Sequence, residues 1–198
     1  MKSYIIKKVN TEPSAEDWIN ANIAYLDVQP CSKYPCHYET KAQLLYTNEA
    51  LYVHFYTTET KLRVQNTERN SNVYEDSCIE FFFSPDENDN RYFNFEINAI
   101  GTILLFVCNG RGNYEKFLFD EEMFDIKTII TKNGWELFYK IPFSFILEHF
   151  DVISKNFKGN FYKCGNKTAE RHYACWNEIN LPEPELHCPK FFGKLIFE

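Results

Sequence analysis

The segment Asn72–Phe83, NVYEDSCIEFFF, carries the densest set of residues able to do chemistry. Glu75, Asp76 and Glu80 fall close together, and Tyr74 stands just before them. Read as an extended strand, the segment places Ser77, Ile79 and Phe81 on one face and Cys78, Glu80 and Phe82 on the other. Glu80 is then a carboxylate in the middle of an apolar strand, and a buried acid there needs a partner. An ion pair or hydrogen bond from a neighbouring strand would serve. So would hydroxyl groups of a ligand laid on the sheet face. The segment Arg91–Asn98, RYFNFEIN, has the same alternation: Tyr92, Asn94, Glu96 and Asn98 share one face, and Phe93, Phe95 and Ile97 the other. Glu96 and Asn98 can therefore extend a polar patch beside Glu80. Two carboxylates about 5–10 Å apart could also hydrolyse a glycosidic bond, and Glu75, Asp76, Glu80 and Glu96 are the acids that could supply such a pair.

Other constellations are thinner. Asp86, Asn88 and Asn90 alternate like the start of an oxygen-ligand loop for calcium, but the glycine and the closing glutamate of such a loop are missing, and a hairpin turn explains them as well. Cys31, Cys36 and His37 have loose spacing for zinc, and no second Cys or His pair follows. Haem would need His with Met or His, and the chain has 2 Met and 5 His. No GxSxG elbow is present for a serine nucleophile. The sequence therefore predicts no cofactor, with calcium left open.

The elements that must position these residues are short. Ser3–Val9 reads as a first strand, and Trp18 to Ile23 as a short helical or irregular packing segment. Lys41–Thr47 and Leu51–Thr57 read as a hairpin around Asn48-Glu49. Ser77–Ser84, Arg91–Asn98 and Thr102–Cys108 form a meander, turning at Pro85–Asn90 and at Ala99-Ile100-Gly101. Phe124–Thr131 and Trp135–Ile141 form a second hairpin around Asn133-Gly134, the strongest turn signal in the chain. Trp135 on it belongs to the core. Pro142 opens a short helix with Ile146 and Leu147 inward. Phe191–Phe197 closes the chain. Short strands with one or two brief helices predict an all-β fold, a β-sandwich or jelly roll of antiparallel sheets.

The chain of 198 residues fits one domain, residues 1–198. Aromatic residues make up 18% of it, an excess that favours pleated, half-buried surfaces. The net charge of −7 and the lack of a basic face argue against nucleic acid as a partner. No run approaches the length of a membrane span. The N-terminus lacks an apolar h-region and a cleavage site, so a cytoplasmic location with free thiols is the expectation. The 7 cysteines are odd in number and contain no CxxC.

The ordered set of motifs resembles the family 9 carbohydrate-binding modules. The set begins with Tyr74-Glu75-Asp76-Ser77-Cys78-Ile79-Glu80-Phe81-Phe82. It continues with Tyr92-Phe93-Asn94-Phe95-Glu96-Ile97-Asn98-Ala99, Gly134-Trp135-Glu136 and Ile141-Pro142-Phe143. Asn160-Phe161-Tyr162-Lys163, His172-Tyr173 with Trp176, and His187-Cys188-Pro189 with Phe191-Phe192-Gly193 complete it. The likeness runs from about Trp18 to the C-terminus, and is to the stand-alone bacterial branch of the family. It implies a β-sandwich of the DOMON-like group that holds a small sugar or a glycan chain end between two aromatic rings. Tyr74 matches one clamp position, usually Trp, and Trp176 is the candidate for the other. Glu80 matches an acid that contacts sugar hydroxyls, with Glu96 and Asn98 as neighbours. Where the family carries an arginine on the return strand, this chain has Glu96. The implied role is non-catalytic carbohydrate binding, alone or beside a glycoside hydrolase. The alternatives are a small glycoside hydrolase and an interaction domain that has lost its sugar site.

Overall fold

The computed structural model describes residues 1–181 and 185–198. Along the chain run β1 (Ser3–Lys8), α1 (Ala15–Asn20), β2 (Ala24–Tyr25), β3 (Thr40–Tyr46), β4 (Ala50–Thr57), β5 (Cys78–Ser84), β6 (Tyr92–Asn98) and β7 (Ile103–Cys108). Then come β8 (Tyr114–Glu115), β9 (Lys127–Thr131), β10 (Gly134–Pro142), α2 (Phe143–His149), β11 (Asn156–Gly165), β12 (His172–Cys175) and β13 (Gly193–Phe197).

The strands make two stacked sheets joined through β1. One has the order β8-β7-β6-β5-β11-β13-β1, with β12 also on β11; the other runs β1-β3-β4-β10-β9, with β2 on β3. The predicted β-sandwich is what forms, with one departure. The sheets are mixed rather than purely antiparallel, because β1 pairs in parallel with β13 through Ser3–Ile6 and with β3 through Lys7 and Lys8. A parallel pair needs a long crossover, and the stretch holding α1 and β2 supplies one between β1 and β3.

Strand alternation sorts the side chains of the first sheet into two layers. Phe81, Phe83, Phe93, Phe95 and Phe161 point between the sheets, against Phe55, Trp135 and Leu137 of the other. Phe81 stacks on Phe161 with ring centres 4.8 Å apart. The opposite face carries a second apolar cluster that includes Phe82, Tyr92, Tyr162 and Cys164. Both layers are covered, so every residue of β5 and β6 is buried, the polar Glu80, Ser84, Asn94, Glu96 and Asn98 included. In α2 it is Phe145 and Ile146 that turn inward; Leu147 is 52% exposed, contrary to expectation, because it falls one step round the helix from the buried stripe.

Candidate functional site

The outer face of the first sheet floors a cavity of about 480 Å³. That is within the usual size of a small-molecule site. Its floor is set by register. The β5–β6 hairpin places Glu80 directly opposite Glu96, and both are nearly closed off from solvent, at 3% and 4% exposure. One Glu96 oxygen accepts from Asn94 Nδ2 at 2.9 Å. The other, Oε2, is buried with no protein partner among the described residues. Burial raises the Glu80 carboxyl to about 7. Burial, and then the charge of Glu80, holds Glu96 well above the usual carboxylate range. Two adjacent desolvated acids cannot both ionise cheaply, so the pair retains a proton at neutral pH.

The walls are aromatic. Tyr74 stands in a single helical turn, Val73–Glu75, half-buried at the cavity edge. Asp76 anchors that turn: its Oδ2 accepts from the backbone N–H of Gln65 at 3.0 Å and of Asn66 at 2.8 Å. The Tyr74 carbonyl accepts from the Asn166 N–H at 3.1 Å, which ties the turn to the loop after β11. A second wall is the β7–β8 hairpin, where Phe106 and Tyr114 stack at 4.7 Å. A third is Tyr173 of β12. Its hydroxyl accepts from Arg171 Nε at 2.9 Å and Nη2 at 2.6 Å, and the guanidinium lies 4.3 Å above the Tyr34 ring. His187 closes the far end, with Nδ1 2.9 Å from the Tyr92 hydroxyl. Cys108 and Cys164 also line the cavity. Burial pushes Cys108 to about 12 and Cys164 well above an ordinary thiol, so neither is a nucleophile at neutral pH.

Of the sequence-predicted site residues, Tyr74, Glu80 and Glu96 meet in this cavity. Trp176 does not. It is 4% exposed within the inter-sheet core, edge-on to Tyr4 and tilted against Phe161. A Cβ on Gly193 would lie 2.4 Å from its ring, so glycine is what lets the indole pack there. The expected Tyr74–Trp176 clamp is therefore not formed. The alternation of His172-Tyr173-Ala174-Cys175-Trp176 contains the reason: Trp176 shares its face with Ala174, while Tyr173 faces the cavity. Asn98 is also a structural residue. It is fully buried; its Nδ2 donates to Asn66 O at 2.8 Å and Asp76 Oδ2 at 3.1 Å, and its Oδ1 accepts from the Ile100 and Thr102 N–H groups of the following turn. No valence is left for a ligand.

The acids weighed for hydrolysis separate in the same way. Asp76 anchors a loop, and Glu75 pairs with Lys167 at 3.0 Å. Among the described residues no three His, Cys, Asp or Glu side chains converge as a metal site. The residues weighed for calcium do not fit one: Asp86 Oδ1 accepts from the Asn88 N–H at 2.9 Å, and Ser84 Oγ donates to the carbonyls of Asp86 and Asp89. That is a turn closing on itself.

The comparisons with known proteins bear on the family and the fold. The family model for carbohydrate-binding family 9 matches residues 11–197. A presumptive carbohydrate-binding protein from Bacteroides uniformis is 31% identical, with 100% of this chain and 99% of that one covered and a TM-score of 0.89. A family 9 module from Caldicellulosiruptor kristjanssonii, solved in complex with cellotriose, is 14% identical over 100% of this chain and 94% of that one, with a TM-score of 0.71. In its complex with glucose the figures are 14%, 100%, 96% and 0.70. At that identity the likeness is one of fold. No curated protein matches the chain.

Proposed function

We propose, because the chain belongs to carbohydrate-binding family 9, that it binds a pyranose or the end of a short glycan chain in the cavity on the outer face of its first sheet. The observation that carries this is the combination of a buried polar floor with aromatic walls. Glu80, Glu96 and Asn166 offer acceptors to sugar hydroxyls, and Asn166 Oδ1, like Glu96 Oε2, is buried without a partner among the described residues. Tyr74 on one wall and the Phe106–Tyr114 stack on another offer ring faces to the C–H face of the sugar. Burial and the neighbouring Glu75 keep the Tyr74 phenol protonated, so it can also donate. The glucose and cellotriose held by the Caldicellulosiruptor module make glucose-type ligands the first to try.

The role is binding without turnover. Hydrolysis sets one carboxyl group on each side of the scissile bond. Here Glu80 and Glu96 lie side by side on neighbouring strands of one floor. A free-standing role and attachment to a glycoside hydrolase are both compatible with this reading.

Calorimetric titration with glucose, cellobiose, cellotriose and xylobiose tests it. Saturable binding of at least one is expected, and Tyr74→Ala should weaken it tenfold or more, about 1.4 kcal/mol. The melting temperature should change little, because Tyr74 is only half-buried. No heat across the panel, or full affinity in Tyr74→Ala, would sink the assignment.

A further inference from the structure

The Glu80–Glu96 pair says more about the ligand than that it carries hydroxyl groups. Two carboxyl groups stand opposite each other on adjacent strands. Both side chains are more than nine-tenths buried, and both line the cavity. Among the described residues neither has a cationic partner within ion-pair distance. The cations nearby are all otherwise engaged. Arg171 donates to the Tyr173 hydroxyl. Arg111 pairs with Glu185 at 2.8 Å at the rim. Lys116 lies over the Phe106 and Tyr114 rings. Lys163 sits on the opposite face of β11, 2.9 Å from Glu59.

An acidic floor with no counter-charge is costly to an empty protein and to one holding a neutral ligand. A hydroxyl group donates a hydrogen bond but brings no charge. An ammonium group brings both, and hydrogen bonds between ions are roughly twice as strong as neutral ones. The cavity lining offers acceptors to its three N–H donors: the Glu80 carboxyl, the Glu96 Oε2 and, elsewhere on the lining, the Asn166 Oδ1, the last two unpartnered among the described residues.

On the reading that this cavity holds a sugar, we infer that its preferred ligand is an amino sugar with a free primary amine, the ammonium seated between Glu80 and Glu96. The rest of the pyranose lies against the aromatic walls, as it would for a neutral sugar. Acetylation of the amine removes the charge and adds bulk at the floor, so the N-acetyl sugar loses the advantage.

The test is calorimetric titration of the whole chain at pH 7, where the Glu80–Glu96 pair carries charge, with glucosamine, glucose and N-acetylglucosamine, repeated with Glu96→Gln. Glucosamine is expected to bind at least tenfold more tightly than either of the others. In Glu96→Gln the ratio of glucosamine to glucose affinity is expected to fall toward one. The wild-type comparison needs no variant, so a folding defect in Glu96→Gln cannot mask the outcome. Glucose binding as tightly as glucosamine would overturn the amine preference and leave the carbohydrate site standing. N-acetylglucosamine matching glucosamine would overturn it too, since the gain would then come from size and not charge. Silence from all three sugars and from the neutral panel would remove both readings together.

Discussion

Two buried clusters of charge lie on opposite faces of the same sheet, and they are built on opposite rules. On the inner face, Glu59 is almost fully enclosed and fully partnered. Its Oε1 accepts from Ser77 Oγ at 2.9 Å, and its Oε2 from Lys163 Nζ at 2.9 Å and Trp135 Nε1 at 3.3 Å. Lys163 directs its other donors to the Cys164 carbonyl at 2.9 Å and to His172 Nε2 at 3.1 Å. His172 is held neutral, its imidazole lowered to about 4 by burial and by Lys163. Nδ1 then carries the proton and donates to the Glu170 carbonyl at 2.7 Å. Every charge there is answered within the chain. On the outer face, Glu80 and Glu96 are buried to a similar degree, yet among the described residues no cation answers them. The contrast separates structure from binding. A sequence that encloses one acid so completely is able to pair a second. The open pair is therefore the one that faces a cavity.

The largest effect should come from breaking the closed cluster. Lys163→Met leaves Glu59 buried without its cation, and loss of one partner of a buried pair costs about 3–5 kcal/mol. Urea unfolding should show that loss, with a melting temperature lower by roughly 10 °C. Adding Glu59→Gln to Lys163→Met should restore most of it. Recovery of nothing would mean that Lys163 acts through its packing against Trp135 and not through its charge.

The faces of this molecule are legible in the sequence to different depths. Alternation in SCIEFFFS and RYFNFEIN sorts Glu80 and Glu96 to one face and Phe81, Phe83, Phe93 and Phe95 to the other, because the side-chain period of a strand is fixed at two. The Asn133-Gly134 hairpin is legible for a similar reason. Gly134 has φ +142°, and a Cβ there would come 2.0 Å from the Thr57 carbonyl oxygen. The pairing of Glu80 with Glu96 is not legible, since the loop of residues 85–91 fixes no single register. Nor is Lys163–Glu59, which joins segments far apart along the chain. The longest strand, β11, is hidden by the polarity of its first half. Asn156, Lys158 and Asn160 alternate there with Phe157, Gly159 and Phe161, and Lys163 further on is buried. Trp176 is the instructive error. The family motif offers an aromatic there as a ligand platform, although the alternation of its own strand points it inward. By face alone Asn98 belongs to the polar patch. Its place at the start of a tight turn, where Asn caps backbone N–H groups, outweighs that.

The two clusters should also respond to pH with opposite sign. His172 ionises near 6.5 in the unfolded chain and about 4 in the folded one. Its contribution is complete above pH 6.5 and is lost as pH falls toward 4, by up to about 3 kcal/mol at about 1.4 kcal/mol for each pH unit. His172→Gln keeps an acceptor for Lys163 and cannot ionise. Relative to the wild type it should lose less stability between pH 7 and pH 4.5, measured by urea midpoints. An identical acid slope in both proteins would remove His172 as its source.

The smallest effect, and the sharpest comparison, lies in the open pair. Glu80 ionises near 4.5 when unfolded and at about 7 when folded, and Glu96 is shifted in the same direction. Between those values the folded state binds more protons than the unfolded state, so stability conferred by the protonated pair is complete below pH 4.5 and is lost as pH rises through 7. Glu96→Gln removes one of the two charges while its amide oxygen still accepts from Asn94. It should therefore stabilise the ligand-free protein by about 1–2 kcal/mol, since relief of a buried like-charge contact has that order. The gain should be greater at pH 8 than at pH 5, where the wild-type pair is already protonated. The same substitution that steadies the empty protein should cost it the amine preference. A variant that is destabilised at pH 8 would mean that Glu96 has a structural partner after all, and the distinction between the closed and open clusters would fall with it.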